Sequence, residues 1–412
     1  MSTVAWNVIA GLVKSIVVIG VLLTAFAYMT LIERRVIARF QRRVGPNRAG
    51  PLGLLQPLAD GLKMLFKEQL TPAQARRVVF LLAPNISVFV ALVAFAVVPL
   101  GDTTTWGDSA VARGWAPYVA DVNVGVLYIL SISSLAVYGI VLGGWSSGNN
   151  YSLLGALRSA AQMVSYEVSI GLSLAGVLMF AGTLSMTGIV HAQVAQGIWF
   201  VLAQPLGFIL YFIAATAEVN RAPFDLPEAE QELVAGYLTE FSGLRWSLYQ
   251  MAEYINMITV SSIAATLFFG GWTIGALSGV PGAPFIWYAI KVFIFLFIFI
   301  WMRATLPRIR YDQLMRLGWQ ALLPLSVLNL LFTAAVVAFG WAWWVSGLFG
   351  LAALLVTGAV LYLRLRRGQM LMAPAGEAGL AMPDSVRLLR VEASAPDAAL
   401  DGANAVTTAT TR

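Results

Sequence analysis

Residues 284–303 read PFIWYAIKVFIFLFIFIWMR, and Lys291 is the only charge before the closing Arg303. A helix of this length rises about 30 Å, which is the thickness of the hydrocarbon core of a bilayer. The rest of the chain shares this character: 59% of the 412 residues are hydrophobic, 11% are charged, and the mean hydropathy is +0.78. Inside lipid every backbone polar group needs an internal partner, so only helices and closed barrels can cross. Long continuous apolar runs, rather than ten-residue alternation, select helices. The sequence therefore predicts an all-α polytopic membrane protein.

Working outward from 284–303, spans are predicted near 8–32, 78–99, 124–144, 160–182, 197–217, 247–270, 322–343 and 345–363, nine crossings in all. Only Gly340 and the group Trp341, Trp343 and Trp344 divide the last two, and tryptophan favours a turn at the membrane surface. The first run is too long for a cleavable signal, and no A-x-A-like site follows it. A membrane domain over 1–367 and a disordered tail over 368–412, rich in Ala, Pro and Thr, are expected.

Basic residues alternate between loops. Ten lie between Arg34 and Arg77, followed by Arg221 and Arg245, then Arg303, Arg308, Arg310 and Arg316, then the tail from Arg364, while the opposite loops carry Arg113. The positive-inside rule puts the N-terminus outside and the C-terminus in the cytoplasm. The formal charge of +6 is thus accounted for by topology, and no nucleic-acid partner is indicated. The chain has no cysteine and one histidine, His191, which reads as a solvated loop residue. Ordinary iron–sulfur ligation, disulfides and paired-histidine haem ligation are excluded within it. No metal site is indicated. Neither G-x-G-x-x-G nor a P-loop pattern occurs, so redox and nucleotide chemistry belong to partners.

Two segments break the apolar pattern. Residues 33–68, ERRVIARFQRRVGPNRAGPLGLLQPLADGLKMLFKE, are basic first, then turn at GPNRAGP. Leu54, Leu55, Leu58, Leu62, Leu65 and Phe66 then recur at helical spacing opposite Asp60, Lys63 and Lys67. This amphipathic helix is too short and polar to cross and is predicted to lie in the interface. It serves either as a topology anchor or as the floor of an entrance for an amphipathic ligand, and periodicity leaves both open.

The second segment, AEVNRAPFDLPEAEQELVAGYLTEFSG at 217–243, sets six carboxylates against one arginine. Pro223 and Pro227 break the fifth helix, and Pro227 suits the first turn of another running through Glu228, Glu230 and Glu232. The helix dipole favours acids in such a turn, which accounts for two or three of the six. Glu167 in SYEVS and Glu253 in AEY lie within predicted spans, where a carboxylate is costly and marks a functional candidate. Lys14 and Lys291 are weaker signals, because each can snorkel or pair with an acid. Carboxylates crowded in a low dielectric titrate as a coupled unit, so the row reads as a proton or charge relay reaching from a loop into the membrane.

These two segments, with SYEVS, AEY and TLPRIRYDQLMRLGW at 305–319, closely resemble the NADH dehydrogenase subunit 1 family of NADH:quinone oxidoreductase, respiratory complex I, over roughly residues 1–345. The resemblance implies a subunit of that proton-translocating enzyme, without a redox centre of its own, in a bacterial cytoplasmic membrane. Quinone is the implied bound substrate, and flavin and iron–sulfur clusters are implied on partners. Those partners are the peripheral-arm quinone-site and iron–sulfur subunits, together with neighbouring antiporter-like and small membrane subunits.

Carried over by motif, Glu33, Arg34, Arg35, Arg42, Arg48, Asp60 and Lys63 would line the quinone entrance and chamber. Arg221, Asp225, Glu228, Glu230, Glu232 and Glu240 would form its polar side. Glu218, Glu253 and Glu167 would couple to protons, and Arg303, Arg308, Arg310 and Asp312 would face the peripheral arm. Gln69 stands where many members carry an acid, and many members lack the ninth span. A membrane subunit of a hydrogenase-type or ferredoxin-linked relative is the alternative. A stand-alone proton-coupled transporter is less consistent with the chain, which shows no inverted repeat.

Overall fold

The computed structural model describes residues 3–101, 118–225, 235–273 and 283–371. The chain divides into two compact units, Met1–Ala353 and Leu354–Arg412. The described part of the second unit, 354–371, is continuous helix. Among the described residues, eight helices are long and apolar enough to cross a membrane, and a shorter apolar helix accompanies them. The chain is an all-α polytopic membrane protein.

The first helix, α1, covers Thr3–Phe40. At 1.5 Å per residue it is about 57 Å long, well beyond a bilayer core. It therefore runs on past the predicted end of the first span, because Glu33, Arg34, Arg35 and Arg39 lower hydropathy without lowering helix propensity. Glu33 is consequently held on a rigid element. The amphipathic helix α2 covers Gln56–Phe66, with Leu58, Leu62, Leu65 and Phe66 exposed along it. Asp60 of α2 pairs with Arg34 of α1 at 2.6 Å.

Helices α3 (Arg77–Ala94), α4 (Gly125–Ser146) and α5 (Asn150–Ala181) follow. The start of α5 lies ten residues before the predicted span. Asn149 caps it by accepting from the Tyr151 amide at 2.9 Å, satisfying one of the free N–H groups of the first turn. Backbones approach closely here: a Cβ on Gly155 would lie 2.5 Å from the Gly236 Cα. Only glycine allows that contact.

A short helix α6 (Met186–Gln196) precedes the predicted fifth span, which is divided into α7 (Phe200–Ala203) and α8 (Pro205–Glu218). Pro205 disfavours helical backbone at Gln204, which adopts φ −133° and ψ 55°. The Gln204 side chain is buried at this break and is fully engaged. Its amide donates to Thr333 Oγ1 at 2.7 Å and Ser346 Oγ at 3.0 Å, and its carbonyl accepts from Asn329 Nδ2 at 2.8 Å.

The central helix is α9 (Gly243–Phe268), the most deeply buried of the long helices. Next come α10 (Ala283–Thr305), α11 (Tyr311–Arg316), a π-helical turn over Leu317–Leu322, and α12 (Leu323–Ala338). The last helix, α13, covers Trp343–Leu371. Gly340, at φ 66°, sits in the turn between α12 and α13, which matches the division expected from the tryptophan group. Beside α9, Phe80 of α3 stacks on Phe241 at 4.2 Å, and Tyr249 of α9 donates to the Gly139 carbonyl of α4 at 3.0 Å. These contacts set the rotation of α9 and so the direction of its polar residues.

Candidate functional site

Trp246, Gln250 and Tyr254 recur every four positions on α9, and Glu33, Ile37 and Gln41 do so along α1 and the turn that ends it, so each set shares a face. The two faces meet around an open cavity of about 490 Å³, which Arg34, Phe40, Arg303 and Ala304 complete. Its wall is mixed: Ile37, Phe40 and Trp246 are apolar, whereas Glu33, Gln250, Tyr254 and Arg303 carry donors and acceptors.

From this wall a charge chain runs inward, buried at its Glu33–Arg221 centre. Glu33 forms ion pairs with both Arg221 and Arg303, and it accepts from the Tyr254 phenol at 2.7 Å. Arg221 extends its other arm to Glu253 at 2.9 Å, and its guanidinium lies 4.7 Å from the Tyr254 ring centre. The Arg221 and Glu33 side chains are each only 3% exposed. Two guanidiniums thus face two carboxylates, the balance that a site of this depth requires. Burial alone would lower the proton affinity of Arg221, but Glu253 and Glu33 more than reverse that effect, so the guanidinium stays charged.

The turn that presents Arg221 is tightly held. Asn220 takes a left-handed conformation at φ 55° after α8 ends, and the Ala222–Pro223 peptide is cis. Gln162 of α5, fully buried, donates to the carbonyls of Ala217 at 2.7 Å and Phe224 at 2.8 Å, clamping both ends of the turn.

A second carboxyl pair lies deeper. Glu167 of α5 receives a hydrogen bond from Ser134 of α4, and Glu218 of α8 lies near the adjoining Ser133. Glu218 and Ser133 also border a cavity of about 40 Å³, with Tyr211, Asn256 and Thr259 as its other polar residues. A space of that size holds a water molecule or two. Glu253, grouped by sequence with Glu167 and Glu218, is bonded instead into the Glu33–Arg221 chain.

The other sequence candidates are dispersed. Asp225 pairs with Arg308 at 3.1 Å, and Arg35 donates weakly to the Pro46 carbonyl at 3.4 Å. Glu240 accepts from Asn149 at 2.8 Å and borders a different cavity of about 480 Å³, with Gln74 and Ser147. Arg42, Arg48, Lys63, Arg310 and Asp312 are exposed. Glu228, Glu230 and Glu232 lie outside the described residues, as do Arg113 and the tail from 372.

Lys14 donates to the Tyr118 carbonyl at 3.0 Å. Lys291 gives three bonds, to the carbonyls of Phe269, Gly271 and Thr273 at 2.7, 2.8 and 3.0 Å, and so caps the end of α9. His191 is exposed, and its ring centre is 6.0 Å from that of Trp272.

Sequence reasoning missed Tyr254, Ser133, Ser134, Gln162 and Gln250. Tyr254 adjoins a flagged acid, and the serines stand as SISS inside an apolar run, which was the available signal.

A family model described as NADH dehydrogenase matches residues 13–334. Among curated relatives, an NADH-quinone oxidoreductase subunit of Deinococcus deserti is 52% identical over 354 residues, covering 83% of this chain and 89% of the relative. The subunit of the same name from Thermomicrobium roseum is 54% identical, covering 81% and 98%. NADH-quinone oxidoreductase subunit 8 of Thermus thermophilus is 51% identical, covering 85% and 93%. With a matched model spanning most of its length and relatives of this closeness, the chain belongs to the NADH dehydrogenase family.

Proposed function

We propose that the chain is the membrane subunit of an NADH-quinone oxidoreductase in which the cavity between α1, α9 and α10 receives the quinone, and that the charge chain running inward from it couples quinone reduction to proton translocation. The observation that carries this reading is the junction of that cavity with the Arg303–Glu33–Arg221–Glu253 chain through a shared Glu33. The names of the relatives supply the enzyme class.

The cavity volume lies within the ordinary range for small-molecule sites. A quinone head offers two carbonyl acceptors, and Gln250, Tyr254 and Arg303 offer donors. Ile37, Phe40 and Trp246 suit an apolar tail, and the exposed leucines of α2 give a lipid-facing surface beside Arg34 at the rim. A quinone takes up negative charge when reduced. Arg303 is drawn toward that charge, which weakens its hold on Glu33 and leaves Glu33 to compete harder with Glu253 for Arg221. Arg221 follows Glu218 by one tight turn, so its displacement is felt at the deeper carboxyls Glu218 and Glu167. Electrons reach the site from partner subunits of the peripheral arm, and protons pass to neighbouring membrane subunits. In this reading the Arg-rich ends of α1 and α10 face the cytoplasm and the N-terminus lies outside.

A photoreactive quinone analogue applied to the intact complex tests this. Labelling of α1 and its closing turn over 33–41, or of α9 over 246–254, suppressed by excess quinone, is the expected result. Labelling confined to α13 would overturn the assignment of the cavity.

A further inference from the structure

Ser133 and Ser134 are consecutive residues of α4, and each lies close to both a backbone carbonyl and an acid. Ser133 Oγ lies 3.0 Å and Ser134 Oγ 2.9 Å from the same backbone oxygen, that of Leu130. Ser134 also donates to the Glu167 carboxyl, and Ser133 shares the lining of the small inner cavity with Glu218. A serine hydroxyl has a single hydrogen and two acceptor lone pairs. It can give that hydrogen to Leu130 or to its carboxyl, but not to both at once.

The choice depends on whether the carboxyl holds a proton. An ionised carboxylate is acceptor-only and takes the serine hydrogen. A protonated carboxyl can donate to the serine oxygen, and the serine hydrogen is then free for Leu130. Both arrangements satisfy the serine and its carboxyl, so neither protonation state strands the pair. Helix α4 thereby sets a hydroxyl beside an acid on each of two other helices, Glu167 on α5 and Glu218 on α8.

We propose that Ser133 and Ser134 are positioning residues for proton movement through the membrane carboxyls, each turning its hydroxyl between the Leu130 carbonyl and its own carboxyl as that carboxyl loses and regains a proton. This rests on the proton-coupling reading above. Alanine at either position removes the donor that an ionised carboxylate needs, whereas threonine keeps it.

The test uses the intact complex in sealed vesicles carrying S133A, S134A, S133T or S134T, with E167Q and E218Q measured in parallel. NADH-driven quinone turnover, proton uptake and the redox-induced infrared band of the protonated carboxyls are recorded, and NADH oxidation by ferricyanide checks assembly. The alanine variants are expected to lose roughly tenfold in coupled turnover, the effect of one hydrogen bond to a charged group. They should also shift the carboxyl band, and the threonine variants should recover both within about twofold. A purely structural role would leave the band unmoved. Alanine variants with full turnover and an unshifted band, or threonine variants as impaired as alanine, would overturn the proposal. If E167Q and E218Q are impaired while the alanine variants are normal, only this inference fails. If E167Q and E218Q also turn over normally, the proton-coupling reading fails with it.

Discussion

Arg221 and Glu253, thirty-two positions apart in the chain, meet at 2.9 Å, and the other arm of the same guanidinium holds Glu33 of α1. One arginine in a turn thereby joins α1 to the central helix α9, the two helices whose faces meet around the open cavity.

Arg221→Met takes from the buried Glu33 and the partly buried Glu253 the cation they share, leaving Glu33 with Arg303. Breaking a buried pair in this way costs on the order of 3–5 kcal/mol, because the partner charge stays desolvated. The expected outcome is reduced assembly and a clearly lower thermal unfolding temperature of the purified complex. Arg221→Lys keeps the charge but has no planar fork to serve Glu33 and Glu253 together, so it should fall between wild type and Met. A Met variant as stable as wild type would show that the chain is not electrostatically tight.

Ile37 borders the cavity from α1, so Ile37→Trp fills part of its volume without touching the ion pairs. NADH oxidation by ferricyanide should be unchanged while quinone reduction falls, by roughly tenfold if the added bulk costs about 1–3 kcal/mol of quinone binding. The comparison to make is KM against kcat: a rise in KM is the expected signature. Unaltered quinone kinetics would place quinone elsewhere.

Gln204→Leu removes the amide that fills the break between α7 and α8 and leaves Asn329, Thr333 and Ser346 without their shared partner. Each stranded polar group costs about 1–3 kcal/mol. Assembly and thermal stability should fall, while protons moved per electron in the surviving complex should match wild type. A changed proton ratio would give Gln204 a part in coupling that its contacts do not suggest.

The helical membrane architecture was legible from the amino-acid sequence because it depends on one property, the length of apolar runs against the thickness of a bilayer. The intramembrane acids were legible for the same reason, since a carboxylate in such a run stands out against a uniform background. Hydropathy was a poor guide to where helices end. It closed the first span before Glu33, yet α1 continues to Phe40, because charged straight-chain residues are good helix formers. It also read 197–217 as one span across a break that Pro205 imposes and Gln204 fills.

What only the tertiary structure decided is which charges belong together. Glu33, Arg221, Glu253 and Arg303 come from three helices and a turn, and Arg303 pairs with a residue 270 positions away. No local pattern encodes such a meeting. It follows from how α1, α9 and α10 rotate and pack, and the desolvation of ions makes only a closely matched arrangement tolerable. The serines beside Glu167 and Glu218 escaped notice for the opposite reason: a small hydroxyl costs so little in an apolar helix that its importance depends on what a neighbouring helix brings to it.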